Sequence, residues 1–334
     1  MLREASDPPA TVAPVAALPD DFSPRATSNP GSVEPAPVAD APVARTRSTF
    51  RAYFLLTKPR VIELLLVTTV PAMILGEQGL PALWLIAVVL LGGAMAAGGA
   101  NTINCWIERD RDSIMRRTHG RPLPAGDVNP TGALVFGLVL EAAAFALLWS
   151  TVNLLSACLA VSATLFYVFV YTLWLKPRST QNIVIGGAAG AVPVLVGWAA
   201  VTGSLAAPAW LMFAIIFFWT PPHFWALSIR YRDDYHAAGI PMLPVVRGIP
   251  AAARQIIVYS FVVTAVSLLL AADSTLTWGY VAAAAVLGLA FIVQAIRLGR
   301  DPSPQRAIKL FTFSNLYLAL LFAAIAVDTL VHFA

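Results

Sequence analysis

Residues 101–124 read NTINCWIERDRDSIMRRTHGRPLP, and they follow an apolar run rich in glycine and alanine. Within this stretch Asn101, Asn104, Glu108 and Asp112 are separated by steps of three, four and four residues. On a helix these steps place the four side chains on one face, spread over about 16 Å. The stretch therefore predicts a helix that leaves an apolar environment and carries amides and carboxylates on one side.

Oxygen ligands of this kind are those that hard cations prefer. In proteins Mg²⁺ usually binds through one or two carboxylates together with substrate phosphates. Arg116, Arg117 and Arg121 follow the acidic face, and guanidinium groups are well suited to phosphate oxygens. The combination indicates a metal–diphosphate site. The same spacing also fits a cytoplasmic loop of compensating charges, and spacing alone does not separate these interpretations.

The composition places the chain in a membrane. Of its 334 residues, 58% are hydrophobic and only 12% are charged, and the mean hydropathy is +0.73. Soluble domains carry about a quarter charged residues. The two cysteines exclude a disulfide framework. We therefore predict an all-α integral membrane protein whose surroundings are the lipid bilayer, and we expect no nucleic-acid partner.

Two regions are expected. Residues 1–48 are rich in proline and alanine and predict a disordered tail, whereas residues 49–334 predict a membrane domain. A spanning helix needs about 20 apolar residues. Nine such segments lie near residues 61–78, 82–104, 131–150, 153–174, 182–202, 208–229, 254–273, 278–297 and 310–332.

The basic residues indicate the orientation of these segments. All 22 Lys and Arg residues fall in the tail or in the connections after the second, fourth, sixth and eighth segments. By the positive-inside rule the N-terminus is cytoplasmic and the C-terminus lies on the opposite side. The charged connections 105–130, 230–253 and 298–309 then share the cytoplasmic face. We expect a multi-pass protein of the plasma membrane.

A second cluster of interest is TPPHFWALSIRYRDDY, residues 220–235. Pro221 and Pro222 remove helix hydrogen bonds, and freed carbonyls at membrane depth are tolerated only toward protein or a cavity. His223 follows among aromatic residues. It is either a hydrogen-bonded core residue or a side chain that faces a cavity.

Two further features inside the segments predict packing. Glu141 lies in the middle of a span, where we expect it to face the bundle interior and make a structural pair. Gly186 and Gly190 have the small-xxx-small spacing that allows helices to approach closely.

Several motifs occur together in order from about residue 54 to the C-terminus. They are Asn104-xxx-Glu108-xxx-Asp112 with the arginines after it, LTKPRVIELLLVTT (56–69), NIVIGGAAGAVP (182–193), TPPHFWALSI (220–229), DYHAAGIPMLPVV (234–246) and SNLYLALLF (314–322). Together they resemble the UbiA superfamily of intramembrane prenyltransferases and, within it, the branch that farnesylates haem. The match covers the whole predicted membrane domain.

The resemblance implies a fold, a reaction and partners. The fold is nine transmembrane helices around a central cavity open to the cytoplasmic face. The reaction transfers farnesyl from farnesyl diphosphate to the 2-vinyl group of haem B, with addition of water, and gives haem O and diphosphate. Mg²⁺ is the implied cofactor and haem B a substrate. A downstream haem A synthase or oxidase assembly factors are the implied protein partners.

The resemblance also assigns roles to residues of this chain. Asn104, Glu108 and Asp112 match the catalytic metal-binding motif, with Asp234 as a further metal ligand. The other implied site residues are Arg117, Arg121, Lys176 and Arg230 for the diphosphate, His223 for haem, and Asn101, Lys58 and Arg60 in supporting positions. One departure is Ala238, since most of the superfamily has an acidic residue there.

Two other functions remain open from the sequence. The first is a UbiA-type prenyltransferase for a different acceptor, such as an aromatic acid, a quinone precursor or another tetrapyrrole. The second is a polytopic transporter with a charged cytoplasmic gate. A transporter predicts ionisable residues near the bilayer midplane, whereas here they gather toward one face.

Overall fold

The computed structural model describes residues 47–272 and 274–333, apart from the side chains of residues 61 and 64–66. The predicted tail, residues 1–48, lies almost entirely outside these ranges and stays a prediction. The described part contains helices and connecting turns and no β-strand. An all-α fold is therefore confirmed.

The helices are labelled in chain order. They are α1 Thr49–Leu56, α2 Pro59–Glu77, α3 Leu83–Ile114, α4 Pro130–Thr151, α5 Leu154–Leu165, α6 Asn182–Thr202, α7 Ala207–Arg230, α8 Arg232–Ala237, α9 Leu243–Val246, α10 Gly248–Ala272, α11 Trp278–Arg300 and α12 Pro304–His332. A π-helical segment, Phe166–Leu175, continues α5 without a break.

Eight helices of the described residues are long and apolar enough to cross a membrane. They are α3, α4, α5 with its π-helical continuation, α6, α7, α10, α11 and α12. The predicted first span coincides with α2, which has 19 residues and includes the apolar stretch Val67–Glu77. A multi-pass membrane fold is thus established, while the ninth span and the opening of a central cavity stay predictions.

All three predicted charged connections are shorter than expected. The connection 230–253 shrinks to residues 231–247, which include the short helices α8 and α9. The connection 105–130 is wrong over its first ten residues, because α3 continues to Ile114. Its polar face is buried against neighbouring elements, so the helix keeps its packing beyond the apolar run. The connection 298–309 shrinks to residues 301–303. Ser303 caps α12 by accepting a bond from the Arg306 amide, and Pro304 occupies the first turn.

The largest core lies among α2, α6, α7, α10, α11 and α12. Its fully buried side chains include Trp225, Tyr280, Phe291, Tyr317 and Phe322. A second core joins α2, α3, α4, α5 and α6. The candidate site described below lies beside these cores, on the half of α3 that carries the polar face.

The glycine prediction holds at one position and fails at the other. A Cβ on Gly186 would overlap the ring of Tyr171 in the π-helix, so the absence of a side chain allows this close approach. A Cβ on Gly190 would meet nothing within 4 Å. The predicted structural pairing of Glu141 is confirmed, because Thr164 donates a 2.9 Å hydrogen bond to its Oε1 atom.

The π-helical segment changes the register at the end of the span that begins with α5. Thr172 Oγ1 donates to the carbonyl of Tyr167, and the Lys176 amide donates to the carbonyl of Tyr171, each five residues earlier and at 2.8 Å. Thr172 and Lys176 both make contacts with the polar face of α3. Such π-helical insertions are frequent at functional sites.

Candidate active site

The acidic face of α3 is a row of buried polar side chains. Asn104, Glu108 and Asp112 are 1%, 4% and 4% exposed. Their spacing of four residues on one helix confirms the geometry that the sequence predicted. Buried polar groups of this kind need partners, and a buried carboxylate needs a cation. Each of these three side chains, together called the acidic row, contacts a basic residue from another element.

Asn104 lies at the membrane end of the row. Its Oδ1 atom accepts a 2.7 Å hydrogen bond from Lys58 Nζ. Its Nδ2 atom donates to Glu108 Oε2 at 3.0 Å and to Thr172 Oγ1 at 3.1 Å. Because an ammonium group only donates, these three contacts fix the orientation of the amide. The amide oxygen therefore faces the lysine.

Glu108 pairs with Lys176 at the end of the π-helix. Lys176 Nζ lies 2.6 Å from Oε2 as a hydrogen-bond donor and 2.5 Å from Oε1 as an ion pair. The contact with Oε1 lacks hydrogen-bond geometry, so this buried oxygen has no hydrogen-bond partner. Burial acts to lower the pKa of Lys176, but Glu108, with smaller contributions from Tyr171 and Tyr235, outweighs it and holds that pKa above its usual value.

Asp112 pairs with Arg121 in the connection that follows α3. The Arg121 guanidinium donates to Asp112 Oδ2 at 2.6 Å. Thr118 Oγ1 donates to the Asp112 backbone carbonyl at 2.9 Å, which folds the connection back over the end of the helix. Burial acts to lower the pKa of Arg121, but Asp112 and the other nearby acidic groups together outweigh it, and that pKa is raised.

Lys58 reaches the site from an unusual backbone conformation. Its φ is +54° and its ψ is 60°, and it stands directly before Pro59 at the start of α2. The left-handed region costs a residue with a Cβ about 1–2 kcal/mol. Such strain persists where the surrounding structure imposes it, and it concentrates at functional sites. Burial lowers the pKa of the Lys58 amine.

Two further basic residues lie near the ring of one tyrosine. The guanidinium carbons of Arg117 and Arg230 lie 5.7 Å and 6.0 Å from the ring centre of Tyr231. Arg117 also donates to the Tyr235 hydroxyl at 3.4 Å. Neither arginine pairs with a carboxylate within the described ranges. The structure thus brings the end of α7 and the connection after α3 together, and leaves two cations available for an anion.

The remaining predicted residues lie at the edge of this arrangement. Asn101 is buried, and its Nδ2 atom donates to the Thr57 carbonyl at 3.0 Å, which ties α3 to the end of α1. Asp234 Oδ1 lies 3.8 Å from the Arg116 guanidinium. Arg60 is exposed and makes no hydrogen bond or ion pair with other described residues. The structure does not bring Arg60 to the acidic row.

The donor set fits Mg²⁺ only together with further oxygens. Within the described part of the chain no three His, Cys, Asp or Glu side chains have the spacing of a metal site. Asp234 therefore does not complete a site with Glu108 and Asp112 in this arrangement. Mg²⁺ commonly takes one or two carboxylates plus phosphate oxygens. Among the described residues, Oε1 of Glu108 accepts no hydrogen bond and contacts only the Lys176 ammonium group as an ion pair, so it is an acceptor of the required kind.

His223 lies in an aromatic stack within continuous helix α7. Its ring stacks on Trp219 at 4.2 Å and on Phe311 at 4.4 Å between centres. Its Nδ1 atom lies 2.7 Å from Ser314 Oγ, which itself donates to the Phe311 carbonyl. Ser314 must then accept from Nδ1–H, and this tautomer, inferred from the network, leaves a lone pair on Nε2.

Sequence reasoning missed three residues of the site. Thr172 accepts from Asn104 across 68 positions, and its contact depends on the π-helical register, for which the sequence carries no local signal. Tyr231 lies between Arg230 and Arg232, and an aromatic ring between arginines is a usable signal for stacking. Tyr235, the third missed residue, follows the acidic pair Asp233–Asp234.

The sequence is similar to those of known prenyltransferases. A model of the "UbiA prenyltransferase family" matches residues 65–321. The chain is 54% identical over 296 residues to "Protoheme IX farnesyltransferase 1" of Saccharopolyspora erythraea, covering 88% of this chain and 94% of that one. It is 50% identical over 314 residues to "Protoheme IX farnesyltransferase" of Parafrankia sp. (strain EAN1pec), covering 92% and 99%.

The chain belongs to the UbiA prenyltransferase family. By its relatives it belongs to the protoheme IX farnesyltransferases within that family, and it is a membrane-embedded prenyltransferase.

Solved structures show the same UbiA fold. A structure from a study of digeranylgeranylglyceryl phosphate synthase has a TM-score of 0.70 at 17% identity and covers 85% of this chain and 99% of its own. A UbiA homologue from Archaeoglobus fulgidus, bound to GPP and Mg²⁺, has a TM-score of 0.59 at 17% identity and covers 82% and 99%. At these identities the likeness concerns the fold alone.

Proposed function

We propose that this UbiA-family chain is a haem O synthase. It transfers farnesyl from farnesyl diphosphate to the 2-vinyl group of haem B, adds water, and gives haem O and diphosphate. The observation that carries the proposal is the buried row Asn104, Glu108 and Asp112, with a basic side chain on each member. The names of the relatives supply the acceptor and the prenyl donor.

The diphosphate is the group that this charge pattern recognises. Glu108 and Asp112, with the amide oxygen of Asn104, would hold Mg²⁺ against the diphosphate, without Asp234, which does not complete a site with them. When bound, Mg²⁺ neutralises charge on the departing diphosphate. Lys176, Arg121, Arg117 and Arg230 supply donors to the same oxygens. Because leaving-group charge develops in the transition state, these fixed cations favour it over the ground state.

The carbon–oxygen bond of the allylic diphosphate breaks with its electron pair going to the diphosphate. The electron-rich vinyl group attacks the farnesyl cation, and water adds to the resulting cation beside the porphyrin with loss of a proton. We expect aromatic residues of α7 from Phe217 to Trp225 to contribute apolar surroundings that protect the first cation from early hydrolysis. The reaction needs no basic nucleophile on the protein.

His223 is proposed to serve haem rather than farnesyl diphosphate. Its Nδ1 atom is engaged by Ser314, and a histidine that binds metal through one ring nitrogen commonly has the other fixed by a hydrogen bond. Its lone pair on Nε2 suits haem iron. The acidic row and the arginines already account for the diphosphate.

The proposed function also implies where the protein lies in the cell. We propose that the protein lies in the plasma membrane, with a cytoplasmic N-terminus and the site-bearing connections on the cytoplasmic face. Haem O would pass to a haem A synthase or to oxidase assembly factors.

The direct test of the proposed function is incubation of the purified protein in lipid nanodiscs with farnesyl diphosphate, haem B and Mg²⁺. Haem O identified by mass supports the proposal, and farnesyl transfer only to other acceptors contradicts it.

A further inference from the structure

Three basic residues from three separate elements occupy the acidic row, one for each member. Lys58 precedes α2, Lys176 ends the π-helix and Arg121 lies after α3, and they contact Asn104, Glu108 and Asp112 respectively. The oxygens that these cations contact belong to the side chains proposed to hold Mg²⁺. Two kinds of cation therefore compete for one set of oxygens.

The competition is most severe at Glu108. Lys176 Nζ lies within 2.6 Å of both carboxylate oxygens, and the side chains are only 16% and 4% exposed. A divalent cation coordinated to the same carboxylate would stand close to the ammonium group. Like charges at such a separation repel strongly where water is excluded. Lys176 must therefore move away before Glu108 can become a full ligand.

A displaced ammonium group needs another anion. Taking a buried cation from its carboxylate without a new partner costs several kcal/mol. The diphosphate provides that partner, since its oxygens would lie beside the metal. Arg121 stands in the same relation to Asp112, with a 2.6 Å contact and a side chain that is 23% exposed. Arg117 and Arg230 are different, because they stack on Tyr231 and need release no carboxylate.

We infer that Lys176 and Arg121 make the site selective for the metal–diphosphate complex over the free metal. Each cation transfers from a metal-ligand carboxylate to a diphosphate oxygen when the complex binds. Metal and diphosphate then strengthen each other's binding by the same factor, as thermodynamic linkage requires. The inference rests on the proposed function, and it assigns these two residues a role in rejecting metal ions that arrive alone.

The test measures binding rather than turnover. Mn²⁺ is the metal probe, and its free concentration is read from the six-line electron paramagnetic resonance signal with the protein in nanodiscs. Lys176→Met should bind Mn²⁺ alone about tenfold more tightly than the unmodified protein, within the usual range of coupling energies. The same variant should bind radiolabelled inorganic pyrophosphate with Mn²⁺ more weakly. A merely structural role for Lys176 would weaken both.

A second variant covers the case in which Lys176→Met fails to fold. Arg121→Met should show the same opposite changes, because it frees Asp112 in the same way. Lys309→Met is the matched control, since Lys309 is exposed on α12 and has no ion pair within the described residues. Its affinity for Mn²⁺ should be unchanged.

The outcomes separate the inference from the function on which it rests. If the unmodified protein makes haem O but neither variant binds Mn²⁺ alone more tightly, the inference is wrong and the proposed function stands. If the unmodified protein makes no haem O, the proposed function is wrong, and the inference fails with it.

Discussion

Lys176 donates a 2.6 Å hydrogen bond to Glu108 Oε2, although the two residues lie 68 positions apart in the chain. This contact joins the end of the π-helix to the acidic face of α3. Glu108 is only 4% exposed, and the ammonium group of Lys176 stabilises the charge of its carboxylate. The pair therefore lies where the apolar part of α3 gives way to its polar face.

The carboxylates of this row should be essential for turnover. Asp112→Asn and Glu108→Gln keep the shape of the side chains but remove the charge that a metal ion needs. We expect the turnover number to fall about 100-fold or more, as when a main electrostatic group is removed. Thermal unfolding and membrane insertion should show that both variants fold.

Asp110→Asn is the matched control for these variants. Asp110 lies on the same helix, but its side chain is 87% exposed and only 3.8 Å from the neighbouring Arg109. We expect its turnover to be close to that of the unmodified protein. Near-normal turnover in Asp112→Asn and Glu108→Gln at saturating Mg²⁺ would show that these carboxylates are compensating charges.

Local sequence patterns predicted the features that arise within a single helix. The spacing of Asn104, Glu108 and Asp112 gave their common face, and the apolar runs gave the spanning helices, because both depend on short-range periodicity. The apolar pattern alone ended the second span near residue 104, whereas α3 continues to Ile114 because its polar face is packed against other elements. The sequence also did not show which basic residue pairs with which carboxylate, because those contacts cross between distant elements.

Alanine substitutions at Gly186 and Gly190 of α6 should change the stability of the protein in opposite directions. Gly190→Ala adds a Cβ into open space, and it should stabilise the helix by about 0.5–1 kcal/mol. Gly186→Ala places a Cβ against the Tyr171 ring, and such overpacking costs about 1–3 kcal/mol. The midpoint of thermal unfolding measures both. Equal shifts in the two variants would contradict the close approach of α6 and the π-helix.

His223 should be required for haem binding and not for the binding of farnesyl diphosphate. His223→Ala should lose haem binding or change the haem absorption spectrum, while affinity for farnesyl diphosphate changes little. His236→Ala is the control, since His236 is exposed. A variant that keeps the haem spectrum and affinity but unfolds at a lower temperature would show that His223 is a core residue bonded to Ser314.

The orientation of the chain is testable without activity. Cysteines introduced at Gly120 and Leu205 should react with membrane-impermeant reagents from opposite sides, because the first lies in a charged connection and the second in an uncharged one. The proposal puts residue 120 in the cytoplasm. Labelling of both positions from the same side would overturn the proposed topology.

The proposed metal–diphosphate site would promote farnesyl transfer from farnesyl diphosphate to haem B. The decisive measurement is the amount of haem O that the purified protein forms from these two substrates, with Mg²⁺ or with a chelator, beside the Asp112→Asn variant. We expect haem O only for the unmodified protein with the divalent cation present. Haem O formation that survives both the chelator and the loss of the Asp112 charge would contradict the proposal.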